Sequence, residues 1–567
     1  MKSWRSRTYD ELPALAVRRE ELRRTLRTTT IAWMYGIVWM SCTMGSHVPV
    51  FSKMLGFTNW HFGLMAAVPF IGTLAQLAAS VQIERTGLRK YQFLFFGSAH
   101  RLLYIAVGLI PLVFWMMGWP LPSRFAVWAM LLILLASAVC NAISTPAWMT
   151  WMGDLIPKRV RGRYFANRAL YSRPIQFIVA IALGVGLDLV TRQGPGIPDD
   201  VAGEQPVLLW VICAIFAVSG VFGLIDVLIF CRVREVLPTV KKPRPPAFRL
   251  DHLGPVPVGV AGKLSYGVRA AGSFLRQMLL EPLVRDRVFR HYVGYGATIQ
   301  FAMTLPGYFF WRNGLENLGF SKLAMNVLFL VISPILGLIG AQAWGRLIDR
   351  WGRRPVLFLS TALVSLSAVP WFLAFREMTA PGWALDAANW VLSHVGGLFG
   401  RPDWFAFTPG MPVGAYLTVL LATLFGGIGW TGIMLAQNAV VLGFSDGHGR
   451  SKYVAASAVL IAIGGVLGGV AGGWVAWKLE YFAWNAHPLL VGPFAWNNWH
   501  VTFALSILFR FLSLLWLLRM PDPGSRHVRD LMRSIGDGVT TTVTGWLLFP
   551  LKVFGWGRPE EKGDKRR

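Results

Sequence analysis

Apolar residues run along this chain in long uninterrupted tracts, and polar residues gather in the gaps between them. Twelve such tracts stand out, at about 30–51, 58–82, 91–117, 125–151, 169–190, 207–231, 291–311, 323–344, 355–375, 412–443, 454–477 and 499–518. Phe125 to Ser144 and Asn326 to Trp344 contain no charged residue, and each is long enough to cross a hydrocarbon core. Within lipid the backbone can satisfy its own polar groups only as helix or closed barrel, and tracts of this length read as helices. The expected fold class is therefore all-α and polytopic, with twelve transmembrane helices in two six-helix bundles and added interfacial amphipathic helices.

Composition agrees: 54% of the 567 residues are hydrophobic, 15% are charged, and the mean hydropathy is +0.49. The net charge of +27 would suggest nucleic acid as a partner in a soluble chain. Here it sorts by segment. Alternate gaps, starting with the N-terminal tail, hold 44 lysines and arginines, the opposite set holds 8, and Arg101, Arg173 and Arg510 lie inside tracts. By the positive-inside rule both termini are cytoplasmic, which demands an even number of spans. The expected setting is the cell (inner) membrane, with the lipid bilayer and a small-molecule substrate as partners, no nucleic acid and no cofactor, and the chain as a monomer. No cleavable leader is expected ahead of the first tract. Cys42, Cys140, Cys213 and Cys231 fall in or at the ends of tracts without metal-type spacing and read as packing residues.

Five regions follow: a cytoplasmic tail at 1–29, a six-helix bundle at 30–231, a linker at 232–290, a second bundle at 291–518, and a basic tail at 519–567. Pro-rich Leu237 to Phe248 cannot continue a helix, whereas the stretch from Lys263 to Leu283 is amphipathic and suits the inner membrane surface. Val539 to Trp556 is short, is broken by Pro550, and also reads as interfacial. Tryptophans at 115, 119, 383, 390, 484, 496 and 499 mark outer tract ends as an aromatic belt.

Two charged motifs recur. Gly345 to Pro355, GRLIDRWGRRP, joins tracts eight and nine, and Ser80 to Lys90, SVQIERTGLRK, joins two and three. Glu84, Arg85, Gly87 and Arg89 match Asp349, Arg350, Gly352 and Arg354 in order, with Arg353 facing Leu88. After tracts four and ten, Asp154 to Arg168 and Gly443 to Ser457 align Arg161, Gly162, Arg163 and Tyr164 with Arg450, Ser451, Lys452 and Tyr453. Two ordered matches in two halves are the trace of a duplicated transporter fold. Gly345 would let helices approach closely, Gly352 would permit a tight turn, and a carboxylate among guanidiniums can pair across a seam. In the eleventh tract, Gly464, Gly468 and Gly472 alternate with Gly465, Gly469 and Gly473, which suits close packing or sliding.

The 345–355 segment resembles the signature loop of the major facilitator superfamily. That resemblance implies secondary active transport of a small solute by alternating access, with these loops latching the halves in one state. It also implies that tracts one, four, seven and ten line a central cavity. Candidate substrate contacts there are Asn141, Thr145, Gln300, Thr304, Trp430, Gln437 and Asn438, with His47 near an outer end.

Charges inside tracts are costly, so Arg101, close to mid-membrane, is read either as a substrate contact or as a structural ion. Arg173 with Gln176 on its face could extend a polar strip, and Arg510 has no evident partner. The carboxylates within tracts, Asp188 and Asp226, sit near helix ends, so no mid-membrane carboxylate is expected to carry a proton, and a central arginine favours an anionic substrate. His100 adjoins Arg101 without a partner at helical spacing, and no nucleotide or metal motif occurs, so no enzyme is expected. A membrane-embedded enzyme such as an acyltransferase, or a transporter-like sensor, is the alternative.

Overall fold

The computed structural model describes residues 19–86, 89–156, 158–191, 206–235, 260–379, 381–397, 400, 412–443, 450–481, 489–491, 494–522, 530 and 533. Ten helices are long and apolar enough to span a membrane, from Asn59–Ala79 to Asn498–Arg519. The two remaining tracts, the first and the seventh, are both broken. The first runs Arg19–Thr43, interrupts at 44–46, and resumes as His47–Leu55. The seventh runs Arg287–Thr304, turns at 305–308, and resumes as Phe309–Arg312. A positive-φ glycine sits in each break, Gly45 at 155° and Gly307 at 36°, where an L side chain would be strained. The broken pair occupies the same place in each half, and with the ten other spans it is consistent with twelve; spans two and nine also turn briefly, at 74–75 and 367–368.

Several helices outrun their apolar tracts. The eighth ends at Trp351, and the ninth begins at Arg353 after Gly352 alone, with φ 91°. The expected 345–355 loop is therefore the last two turns of one span and the first of the next. Likewise the fifth span starts at Lys158, so most of 154–168 is helix. The charged side chains hid these helical ends from a reading based on hydropathy. A two-stranded hairpin, Leu489–Val491 with Phe494–Trp496, is a small exception to the all-α expectation, and the helix Gly382–Gly397 lies between spans nine and ten. Residues 236–259 and 539–556 lie outside the described residues.

Within the first half, span three packs on four and six, and span one on five and six; within the second, nine packs on ten and twelve, and seven on eleven and twelve. The halves meet where span two lies along span eleven and where span five meets the start of span eight. Span eleven does this with two glycine rails. A Cβ at Gly464, Gly468 or Gly472 would strike the backbone of Ala297, Phe301 or Leu305 in span seven, its own half. One at Gly465, Gly469 or Gly473 would strike Phe70, Ala67 or Gly63 in span two, the other half. Residues four apart lie on one helix face, so this spacing builds two seams on one helix.

Candidate functional site

Both copies of the charged motif anchor helices within their own half. In the second half, Arg353 donates to Ala439 O (3.3 Å) and to Asp522 (2.7 Å), and the Arg354 amide donates to Asp522 (3.2 Å). The Arg354 side chain reaches the carbonyls of Leu517 and Leu518. In the first half, Arg89 donates to Thr150 O (3.3 Å), the amides of Arg89 and Lys90 donate to Glu235 (2.7 and 3.0 Å), and Lys90 Nζ reaches Cys231 O (2.9 Å). A carboxylate following the sixth or twelfth span thus accepts from the N-terminus of the third or ninth, where the helix dipole favours it. These contacts correct the sequence register: Arg89 corresponds to Arg353 and Lys90 to Arg354, leaving Leu88 as the extra residue. A pairing anchored on Glu84 and Asp349 could not reveal a one-residue insertion after the turn.

The expected close approach at Gly345 does not occur, since a Cβ there would meet nothing within 4 Å. Asp349 and Arg350 are exposed, and Asp349 forms no ion pair among the described residues. The side chains of Glu84, Arg85, Asp154, Arg161, Arg163 and Arg450, together with Gly87, lie outside the described residues. Of the second motif, Tyr164 shares a 2.6 Å hydrogen bond with Thr29 of span one, and Tyr453 packs edge-on against Phe289 of span seven. The two tyrosines meet corresponding helices.

At the opposite end, polar side chains clasp the halves. Asp188 of span five accepts the Lys322 and Leu323 amides (2.9 and 3.0 Å) at the start of span eight. Asn326 of span eight accepts the Ser46 amide (2.9 Å) in the break of span one and donates to Ala180 O (3.3 Å). Asn59 donates to Glu480 and accepts from Arg312 and from Trp499 Nε1 (3.1 Å). Arg312 also pairs with Glu316 (2.8 Å), which lies 3.6 Å from Lys53. Trp499, expected in the aromatic belt, is instead buried under Arg312, whereas Trp115, Trp119, Trp383 and Trp390 are exposed. Hydropathy placed these residues at span ends but carried no signal that they meet across the halves. His47 is buried, with Nε2 2.8 Å from Cys42 O.

The substrate candidates divide. On span four, Ser137 meets His100 of span three and Ala138 lies against Gly72 of span two, while Phe125, Trp128 and Leu132 are exposed on the far side. At about 100° per residue, Asn141 and Thr145 lie between the two contact faces, away from that exposed strip, and both are exposed. Thr145 donates to Asn141 O (2.8 Å). On span ten, Gly427 and Thr431 meet span eight and Gly429 and Gly432 meet span nine, which leaves Trp430, Met434 and Gln437 on one free face. Exposed Asn438 lies at its edge. Gln300 donates to Thr304 (3.2 Å), and Thr304 is buried, so that pair is largely self-satisfied. On span five, Arg173 donates to Gln176 (2.6 Å); Gln176 is buried, and Arg173 has no carboxylate partner among the described residues.

Arg101 is already partnered. Its Nη2 lies 3.2 Å from Asp226 of span six, and its guanidinium stacks 3.4 Å from the Trp39 ring centroid. Gly36 and Gly223 make room, because a Cβ at either would strike Asp226 or Arg101 and Trp39. A paired, buried carboxylate thus lies within the first bundle, although Asp226 stands near the end of its helix as expected. The long arginine side chain spans the axial offset that sequence positions alone suggested. His100 also has a partner, Ser137 Oγ at 2.7 Å, supplied by another helix and invisible to local spacing. Arg168 lies between the Trp33 and Trp148 rings, at 4.6 and 5.0 Å. Arg510, without a reading from sequence, donates to Val364 O (2.9 Å) and Ser367 Oγ (3.2 Å) on span nine. Among the described residues no group of His, Cys, Asp and Glu could hold a metal ion.

Two six-helix halves, broken first helices, duplicated helix anchors and a seam between the halves define the class: a polytopic helical membrane protein of duplicated fold. The model of the Major Facilitator Superfamily matches residues 206–400 of the chain. Solved structures share its fold at low identity. A POT family transporter bound to a thioalcohol-conjugated peptide aligns with TM-score 0.55 and 11% identity over 88% of this chain and 97% of that one. The xylose transporter XylE from E. coli, in an inward-open conformation, gives 0.52 and 11% over 90% and 99%. A bacterial homologue of the human lysosomal transporter Spinster, inward-facing and unoccupied, gives 0.51 and 12% over 90% and 100%. No curated protein sequence matches. The fold is that of secondary transporters, and the chain is an integral membrane protein.

Proposed function

We propose that this protein moves a small solute across the cell membrane by alternating access, as a monomer with both termini and the 345–355 segment on the cytoplasmic side. One observation carries the reading. The halves are clasped at the end away from the charged motifs, by the Gly465, Gly469 and Gly473 rail and by Asp188, Asn326 and Asn59, while at the motif end Asp349 is exposed. A latch residue free at one end while the other end is closed is what a protein open toward the cytoplasm requires. In the opposite state Asp349 would pair across the seam, and Asp349→Asn would then change the rate of switching without preventing insertion.

The substrate site is proposed between the free faces of spans four and ten, with Asn141, Thr145, Trp430 and Gln437, and the flanking Arg173–Gln176 strip of span five. Asn438, Gln300 and Thr304 border it. Because Asp226 already neutralises Arg101, Arg173 is the cation left to recognise an anionic group. A thermal-shift screen of small carboxylates and phosphates in detergent, followed by counterflow in proteoliposomes, tests this. Arg173→Gln is expected to raise the KM of the selected anion at least tenfold while Arg101→Gln acts chiefly through stability. An unchanged KM in Arg173→Gln would remove the anion assignment. Binding without exchange would make the protein a sensor, and turnover of the bound compound would make it an enzyme.

A further inference from the structure

The linker helix ahead of span seven is joined to both halves through Met278, with Leu279 packed beside it. It runs Val260–Leu275, widens to a π-type turn over Arg276–Leu280, and continues Glu281–Arg285. Met278 is buried, 3% exposed, in a small apolar cluster with Leu77 of span two and Val459 of span eleven, one from each half, at the end of the seam nearer the charged motifs. The rest of the helix leaves two neighbouring stripes uncovered. Val268 and Leu275, seven residues apart, are 67% and 48% exposed, and Leu280 and Val284 continue the apolar stripe. Arg269 and Arg276, also seven apart, and Arg285 are exposed beside them. Apolar side chains flanked by arginines, on a helix tethered at the membrane end of a bundle, complement the headgroup and upper acyl region of an anionic leaflet. Met278 is buried whereas Arg269 and Arg276 are exposed, so the helix can rest its arginine face on the bilayer while Met278 stays seated.

We infer that this helix is a sensor of anionic phospholipid: headgroups hold its arginine face, and the seated Met278 keeps the motif end of the span two–span eleven seam from closing. The inference rests on the two-state reading above. Anionic lipid then favours the state open at the motif end, and each arginine that binds a headgroup only in that state contributes at most about fivefold to the preference.

The test uses the full chain with Cys231→Ser, labelled at Asn167→Cys and Arg346→Cys, which are exposed on spans five and eight at the motif end. Electron–electron distances are measured in nanodiscs of phosphatidylcholine alone and with about 40% phosphatidylglycerol. The longer distance is expected to gain population in the anionic discs, the gain to vanish in Arg269→Gln/Arg276→Gln, and the shorter distance to dominate in Met278→Ala in either lipid. Because the double arginine change is on exposed positions, it leaves the thermal midpoint within a few degrees, which separates loss of sensing from loss of fold. Two distances whose ratio ignores lipid charge, or a lipid response surviving in the arginine variant, would overturn the inference alone. A single distance under all conditions would overturn the two-state reading with it.

Discussion

Gly468 and Gly469 are neighbours on one helix, yet the same substitution should produce different failures. A methyl at Gly469 would lie 2.8 Å from the Ala67 nitrogen and the Gly63 oxygen and 2.9 Å from the Ala67 Cβ, all in the other half. Ordinary contact begins at 3.4 Å, so spans two and eleven must part by about half an ångström there. The halves are held at that seam by packing and a few hydrogen bonds, and separating is what the proposed transport cycle already requires. The strain of about 1–3 kcal/mol typical of overpacking should therefore appear as a population shift of about 5- to 150-fold away from the clasped state, with the thermal midpoint nearly kept. A methyl at Gly468 meets the Phe301 carbonyl and Cα of span seven, inside its own bundle, where no alternative arrangement relieves it. Gly468→Ala should lower the thermal midpoint by several degrees and leave the ratio of the two states unchanged. Thermal unfolding in detergent, paired with distances across the clasped end, separates the outcomes. Equal loss of stability in both variants, or no population shift in Gly469→Ala, would refute the assignment of the two rails.

Other substitutions isolate other contacts. Arg101→Leu strands Asp226 in the first bundle and should cost about 3–5 kcal/mol of stability, while Arg101→Leu/Asp226→Leu should recover most of it; a double variant as unstable as the single one would show that the pair is not an ion pair. Asp522→Ala removes the acceptor for Arg353 and the Arg354 amide and should cost about 1–3 kcal/mol by chemical unfolding, as should Glu235→Ala in the first half; a clear inequality would break the proposed equivalence. Asn59→Leu takes the hub from Arg312, Glu480 and Trp499 and should increase modification of a cysteine placed near the clasped seam; unchanged labelling would count against a clasp.

Most of the scaffold was legible in the sequence because lipid imposes one rule, that each span be long, apolar and helical, and because duplication repeats the punctuation. The misses have physical causes. Hydropathy stops at the first charge, so it ended span eight at Trp344 although helix continues to Trp351, where backbone hydrogen bonds need no apolar side chain. It counted spans one and seven as ordinary, because a break at Gly45 or Gly307 leaves composition unchanged. Pairings across helices, Arg101 with Asp226 or Asn59 with Arg312, join residues 125 and 253 positions apart, and one sequence offers no record of such contacts. Of the two pairs that the i, i+4 rule puts on one face, Asn141 and Thr145 of span four are exposed, whereas Gln300 and Thr304 of span seven bond each other.

The two halves agree in how they hold their helices and differ in where they bury charge. Arg89, Lys90 and Glu235 correspond to Arg353, Arg354 and Asp522: in each half a carboxylate accepts a backbone amide at a helix start and a basic side chain reaches a carbonyl at a helix end, so the anchors belong to the duplicated scaffold. The interior arginines do not repeat: Arg101 sits on span three and pairs with a carboxylate on span six, whereas Arg510 sits on span twelve and meets only a carbonyl and a hydroxyl on span nine. Gly223, which gives Arg101 its space, stands about where span six would carry the counterpart of Arg510. A guanidinium with a carboxylate can lose its partner to a proton or a ligand, and one held by backbone oxygen cannot, since a carbonyl does not titrate. Of these two arginines, therefore, Arg101 is the one through which a response to an ion or to pH could pass, and substitution of Arg510 should disturb stability without disturbing such a response.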